Sequence, residues 1–471
     1  MSEPTDAPFP DADFIPRDMS FEPAADGGAG ASRPLSPAYQ AYAMTFLFVA
    51  YVFNFVDRQI VTILAESMKA DLALADWQIG VVTGLAFALF YTLMGLPLAR
   101  LADRHSRTLI ITVSLAAWSM FTVLCAFARN FTDLVLLRIG VGVGEAGCSP
   151  AAHSLITDYA PREKRAMALS IYAMGNPVGM LVGMGLGGLV AQEWGWRVAF
   201  MAAGLPGLVL ALLALLTLRE TRIRGKAPSG AAADGGFADT MRRLLPKRSY
   251  WLLAFGIAGS VFVLAPFQGF AAPFFLRNHA EGVGQLAAAA TAQFGVRLEP
   301  IGFLGLALGA GAGLGGGLGM LVGGVLADRL GRGDERGYVV GPALALFAAT
   351  PVCLAACTVP DAGAALILWG LAAFLLMLPT GPVFAAVQTI APPGARAMAA
   401  AILLFTLNII GTGLGPLTAG FLSDLLNAAG GLGPAEGVRQ ALMWTSLAAP
   451  LAGALVWMSR RSIRQDCGAQ T

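Results

Sequence analysis

Four charged side chains lie deep inside apolar stretches of this chain: Asp57, Arg58, Arg138 and Glu145. A charge at the centre of a bilayer costs about 2.5–3.5 kcal/mol, so it needs a reason. Arg carries a planar fork that binds carboxylate or phosphate bidentately and stays charged. A carboxylate facing such an Arg changes its proton affinity when the Arg is drawn to another anion. Two Arg and two carboxylates around one cavity thus hold the parts for coupling anion binding to proton uptake at Glu145 and Asp57. Spacing supports one cavity. Tyr51, Asn54 and Arg58 stand at i, i+3 and i+7 and share a helix face, with Asp57 beside it. Arg138, Gly142, Glu145 and Ser149 repeat the pattern at i, i+4, i+7 and i+11. Gly142 removes a side chain between two charges and is expected to leave space. The four charges sum to zero, so the competing expectation is a structural ion-pair lock. Glu66 falls too near the end of its apolar stretch to join this group.

The elements that carry these residues follow from composition. Hydrophobic residues make up 56% of the 471-residue chain and charged residues 13%, with mean hydropathy +0.67. Soluble chains average about 25% charged residues. A soluble domain, a disordered chain and a disulfide scaffold are excluded. The 31 Lys+Arg against 29 Asp+Glu leave only +2, which excludes a nucleic-acid binder. A spanning helix needs about 20 mostly apolar residues. Twelve such stretches are predicted: roughly 41–68, 77–99, 108–127, 132–158, 166–191, 197–218, 250–276, 301–327, 338–358, 363–390, 397–427 and 440–459. The fold class is therefore all-α integral membrane. Residues 1–38 are rich in Pro and acidic groups and read as a disordered tail. Residues 219–249 read as a linker between a bundle at 39–218 and another at 250–460, with a short tail at 461–471. With the N-terminus inside, 23 Lys/Arg fall in cytoplasmic segments and 6 in external ones. That bias places both termini in the cytoplasm. The external segment 277–300 is expected to hold a short surface helix.

The two halves repeat. Ala99-Arg100-Leu101-Ala102-Asp103-Arg104-His105-Ser106-Arg107 returns as Gly324-Val325-Leu326-Ala327-Asp328-Arg329-Leu330-Gly331-Arg332, 225 residues later. Ala160-Pro161 with Arg165-Ala166-Met167-Ala168 returns as Ala391-Pro392 with Arg396-Ala397-Met398-Ala399, 231 residues later. Two six-helix bundles related by an axis along the membrane normal are a transporter signature, with the site between them near mid-membrane.

These motifs resemble the major facilitator superfamily over about 41–460. The second copy matches its loop signature G-x-L-A-D-R-x-G-R closely; the first replaces both glycines, with Ala99 and Ser106. Trp196-Arg197-Val198-Ala199-Phe200 is another familiar element. The resemblance implies two pseudo-symmetric six-helix bundles that rock in alternating access. It also implies gating loops at Asp103, Arg104, Arg107, Asp328, Arg329 and Arg332, with Asp103 and Asp328 capping a helix of the opposite half. Such a carboxylate is worth roughly 0.3–1 kcal/mol. Within the superfamily, Asn54-Phe55-Val56-Asp57-Arg58, Gly144-Glu145-Ala146, Ile171-Tyr172 and Pro177-Val178-Gly179 look like the Spinster branch of lipid transporters.

Other signals recede. Gly140-Val141-Gly142-Val143-Gly144 lies in an apolar helix with no preceding strand, so close helix packing is expected rather than a dinucleotide site. Cys125, Cys148, Cys353 and Cys357 read as small apolar packing residues. No metal, cofactor or enzymatic nucleophile is expected. Phe262, Phe267, Phe270, Phe274, Phe275, Phe384 and Phe405, with Gln268, Gln388 and Asn408, form a pool from which an apolar cavity could be lined. The expected protein is a monomeric, proton-coupled carrier of an amphipathic anion, such as a lysolipid or sphingoid phosphate. Its rival is an exporter or facilitator of a small organic anion or drug. Arg58, Arg138, Tyr51, Asn54 and Ser149 would bind substrate. The Ala/Gly-rich style and short loops point to a bacterial inner membrane.

Overall fold

The computed structural model describes residues 36–161, 164–221, 237–331, 334–392 and 395–468. The expected terminal tail therefore lies outside the described residues up to position 35, as does 222–236 of the linker. Among the described residues, eleven helical stretches are long and apolar enough to span a bilayer. One of them, Met167–Thr217, has 51 residues. At about 1.5 Å per residue it would be more than twice the thickness of a hydrocarbon core. Gly195, at φ 79°, folds it into two. Glycine adopts this backbone without a Cβ clash, so the turn needs no loop. The result is twelve spans: α1 (Pro37–Ile63), α2 (Asp76–Ala102), α3 (Arg107–Cys125), α4 (Phe131–Tyr159), α5 (167–194), α6 (196–217), α7 (Arg248–Gly269), α8 (Pro300–Leu330), α9 (Gly337–Thr358), α10 (Ala362–Ile390), α11 (Met398–Ala428) and α12 (Gly433–Ser459).

Several sequence boundaries move. The first span starts at Pro37 and stops at Ile63, and Ala65–Leu72 forms a separate short helix. The expected surface helix occupies Ala280–Phe294. Ile463–Gly468 is helical, and Asp466 accepts from the Ser249 N–H at the start of α7. Cys125, Cys148, Cys353 and Cys357 are all buried.

Two pairs of helices join the halves, α2 with α11 and α5 with α8. Small residues set the contact. A Cβ at Gly80 would fall 2.3 Å from the Pro416 carbonyl oxygen, and one at Gly188 would fall 2.6 Å from that of Ile301. Such approach permits backbone-to-backbone packing in a bilayer, where no hydrophobic force joins helices. All these contacts lie toward the face opposite the chain termini, called the far face below. Toward the other face the same helices separate: a Cβ at Gly95 or Gly324 meets nothing. The cleft opens on the face that carries the termini. Three of the four helices widen into a π turn, at Val81–Leu85, Gly311–Gly315 and Leu407–Leu414.

Candidate functional site

The site grows from α1 and α4. Arg58 donates from Nε to Glu145 Oε2 at 2.7 Å. Glu145 is fully buried, while the Arg58 side chain keeps 21% of its exposure. The cation is thus the more accessible member of the pair. α4 breaks directly after Glu145, at Ala146 and Gly147, before continuing from Cys148. Asn54 is buried against Glu145. Tyr51 stacks on Tyr172 at 4.3 Å and 21°, and Ser149 faces that same Tyr172. The shared faces expected from spacing are thus brought together across α1, α4 and α5.

The remaining two charges depart from the expectation of one mutually paired cluster. Arg138 reaches backbone oxygens rather than a carboxylate: Val82 at 3.3 Å from Nε and Asp57 at 3.4 Å from Nη1. Val82 lies in the π turn of α2, where the widened ladder lets its carbonyl face sideways. The Asp57 carboxylate is 1% exposed and points toward Trp118 and Thr122 of α3. Among the described residues, neither of its oxygens meets the criteria of a hydrogen bond. Gly142 also leaves no gap. Its missing Cβ would stand 2.7 Å from the Phe87 carbonyl oxygen, so the freed space is filled by α2. Gly140 and Gly144 pack likewise on Phe121 and Trp118 of α3, as close helix packing requires.

The gating residues divide. The side chains of Asp103 and Arg104, and all of Arg332, lie outside the described residues. Asp328 and Arg329 are exposed. Arg107 is buried within the N-terminal half, bound to Asp158 at 2.6 Å and to Glu220 at 2.6 Å. It braces α3 against the ends of α4 and α6 rather than meeting the other half. The pool of aromatic residues also splits. Phe267, Phe270, Phe274 and Phe275 are sealed in the core. Phe262, Phe384 and Phe405 keep partial exposure.

Sequence reasoning missed a second polar centre, at the far face. Arg277 binds Glu66 through Nε at 3.0 Å and Nη2 at 2.6 Å. It also binds Asp76 through Nη1 at 2.9 Å. Asp76 is 2% exposed and further accepts from Ser423 Oγ at 2.6 Å and from Lys69. Asp424, at the end of α11, accepts from the N–H groups of Asp76 and Trp77, at 3.1 and 2.7 Å. It caps α2 of the opposite half. Glu66 near a helix end and Arg277 in an external segment were visible signals, but nothing in their spacing pairs them.

Comparison with known proteins agrees with this architecture. The family model described as Major Facilitator Superfamily matches residues 47–416. An MFS-type efflux pump of Mycolicibacterium smegmatis is 30% identical over 428 residues, 90% of this chain and 93% of that protein. A probable L-galactonate transporter of Escherichia coli is 25% identical over 53% of this chain and 57% of its own length. Among solved structures, a bacterial homologue of the human lysosomal transporter Spinster, inward-facing and unoccupied, superposes with TM-score 0.79 at 30% identity. That likeness covers 92% of this chain and 99% of the other. A match across most of the chain, twelve spans in two halves and the Spinster-like motifs on α1, α4 and α5 lead to one conclusion: the chain belongs to the major facilitator superfamily, in its Spinster-like branch.

Proposed function

We propose that the protein is a proton-coupled secondary transporter that moves an amphipathic anion by alternating access. The observation that carries this reading is the Arg58–Glu145 pair, with a sealed carboxylate and a partly exposed guanidinium. An anion that takes Arg58 leaves Glu145 without its counter-charge, and a proton on Glu145 then compensates. Asp57 serves as a second proton site and Arg138 as a second source of positive charge. Both termini lie in the cytoplasm, so the cleft faces inward across a bacterial inner membrane, and the protein acts as a monomer. Asp103 and Asp328 cap helices of the opposite half when that face shuts. The head group is a phosphate or carboxylate and the tail an acyl or sphingoid chain, as in a lysolipid.

A second reading, export of a small organic anion or drug, draws support from the efflux pump and the galactonate transporter among the relatives. Chain length separates the two. A lipid carrier prefers long tails; a metabolite carrier is indifferent to them or hindered.

The test uses purified protein in liposomes with an internal pH dye and a panel of lysolipids, sphingoid phosphates and small organic anions. Substrate-dependent proton flux is expected in the wild type, and its loss in Glu145→Gln at unchanged folding and insertion. Undiminished proton flux in that variant would sink the assignment of Glu145.

A further inference from the structure

We infer that Phe87 and Tyr91 of α2 are positioning residues that hold the Arg58 guanidinium in its anion-accepting orientation. The inference rests on the reading of Arg58 as the anion site and deepens it.

The Nε bond to Glu145 leaves the plane of the guanidinium to be set by other contacts, the Tyr91 hydroxyl among them. Three aromatic rings surround its carbon: Phe55 at 5.1 Å, Phe87 at 4.7 Å and Tyr91 at 4.6 Å. Phe55 is on the same helix as Arg58 and moves with it. Phe87 and Tyr91 come from α2 and stack on each other at 5.3 Å and 19°. They fix Arg58 against a second element. A ring face attracts a guanidinium held this close, the more so where water is excluded.

Phe87 does a second thing. Its ring lies 5.3 Å from the Arg138 guanidinium carbon as well. One ring thus stands against two cations, which otherwise repel, and its π cloud attracts both. Glu145 is then left to serve Arg58 alone, and Arg138 is satisfied by two backbone carbonyls. Among the described residues, the hydrogen bond between Arg58 and Glu145 is made by Nε and not by the two terminal nitrogens. They form the fork that a phosphate or carboxylate needs.

Two backbone features place the clamp. Gly142 lets α2 sit against α4, since a Cβ there would lie 2.7 Å from the Phe87 carbonyl oxygen and 3.3 Å from the Tyr91 nitrogen. The π turn at Val81–Leu85 comes directly before Phe87 and sets its register. The same helix begins at the far-face lock through Asp76. A shift of α2 when that face opens would move the clamp, so anion affinity and conformation are linked through one helix.

The experiment labels the full-length protein with phenylglyoxal, which condenses with the terminal nitrogens of Arg, and reads each Arg-containing peptide by mass spectrometry. In the wild type, Arg58 labels and the sealed Arg138 does not. In Tyr91→Leu and in Phe87→Leu, Arg58 labels about fivefold faster, because one of the rings that cover its faces is gone. Tyr91→Phe keeps the ring and loses only the hydroxyl that also faces Arg58, so its labelling rate falls between those of wild type and Tyr91→Leu. In proteoliposomes, with oleoyl lysophosphatidate as the probe, Tyr91→Leu raises KM about tenfold and leaves kcat nearly unchanged. A merely structural residue would lower kcat or yield instead. Unchanged labelling in both leucine variants overturns the clamp while leaving the anion site standing. Absence of Arg58 labelling in the wild type overturns the anion-site reading itself. Tyr91 is only partly buried, so Tyr91→Leu keeps the test decisive even if Phe87→Leu fails to fold.

Discussion

Charge placement at single residues separates function from structure in this protein. Arg58 and Glu145 pair with the guanidinium partly exposed and the carboxylate sealed, and it is this pair that the proposed anion would open. Arg107 shows the other use of a buried cation: Asp158, Glu220, Ser154 and Thr221 enclose it, and no site opens beside it. Outside the membrane, Asp71 pairs with Arg197 and accepts from the Trp196 indole. The Arg197 guanidinium holds the Asp71 carboxyl below the usual carboxylate range. A depressed pKa contributes stability above the unfolded value, about 3.9, and loses it as pH falls through the folded value. The window therefore lies below pH ~4. Asp71→Asn is expected to leave the transport pH profile unchanged between about pH 5 and 8. A shifted profile in that variant would mean that the pH response lies in this surface pair. The spacing along α1 and α4 made the two charged faces legible in the sequence alone. Partner choice was not legible, because an Arg side chain can reach a carboxylate, a carbonyl or a ring from the same helix position.

At the scale of elements, α2, α8 and α11 carry the mechanical features. Their π turns lie at or beside the glycine contacts between the halves. Gly84 faces the Thr412 carbonyl oxygen at 2.6 Å, and Gly313 faces that of Pro177 at 2.7 Å, each measured from a Cβ built on the glycine. A methyl group at Gly188 would meet the Ile301 carbonyl oxygen at 2.6 Å and Gly305 Cα at 3.1 Å. The partner atoms are backbone and cannot rotate away. Gly188→Ala is therefore expected to cost the far-face-closed state about 1–3 kcal/mol. Thiol-reagent access to a cysteine placed beside the α5–α8 seam should rise accordingly; unchanged access would remove this seam from the set of tight contacts. Glycine richness in 301–325 was plain from the sequence. Which glycines face the other half was not, since a stripe of glycines has no side chains to report a face.

Across the whole molecule, the polar centre at the far face ties the two halves together there. Arg277, Glu66, Asp76, Lys69, Ser423 and Asp424 join the short helix Ala65–Leu72 and the start of α2 to the helix Ala271–Asn278 after α7 and to α11. Removing one member of a buried ion pair leaves its partner uncompensated, at a cost of about 3–5 kcal/mol. Arg277→Gln should shift the opening equilibrium by about two to four orders of magnitude toward the state open at the far face. Spin labels at the exposed Trp194 and Val296, near the far ends of α5 and α8, would report the separation as a longer distance. An unchanged distance distribution would show that glycine packing alone closes this face.

The sequence by itself determined the medium, the number of spans, the twofold repeat and the family resemblance. The medium and the spans follow from composition, the repeat from two pairs of matching motifs, and the resemblance from the motifs themselves. It also marked Asp57, Arg58, Arg138 and Glu145, because the bilayer makes every buried charge conspicuous. Only the tertiary structure decided that Arg58 takes Glu145 while Arg138 takes carbonyls, that Phe87 stands between the two cations, and that Arg277 closes the far face. Those outcomes depend on contacts between residues up to 211 positions apart. They also depend on how a π turn and a glycine set the register of α2, and no local pattern encodes such distances.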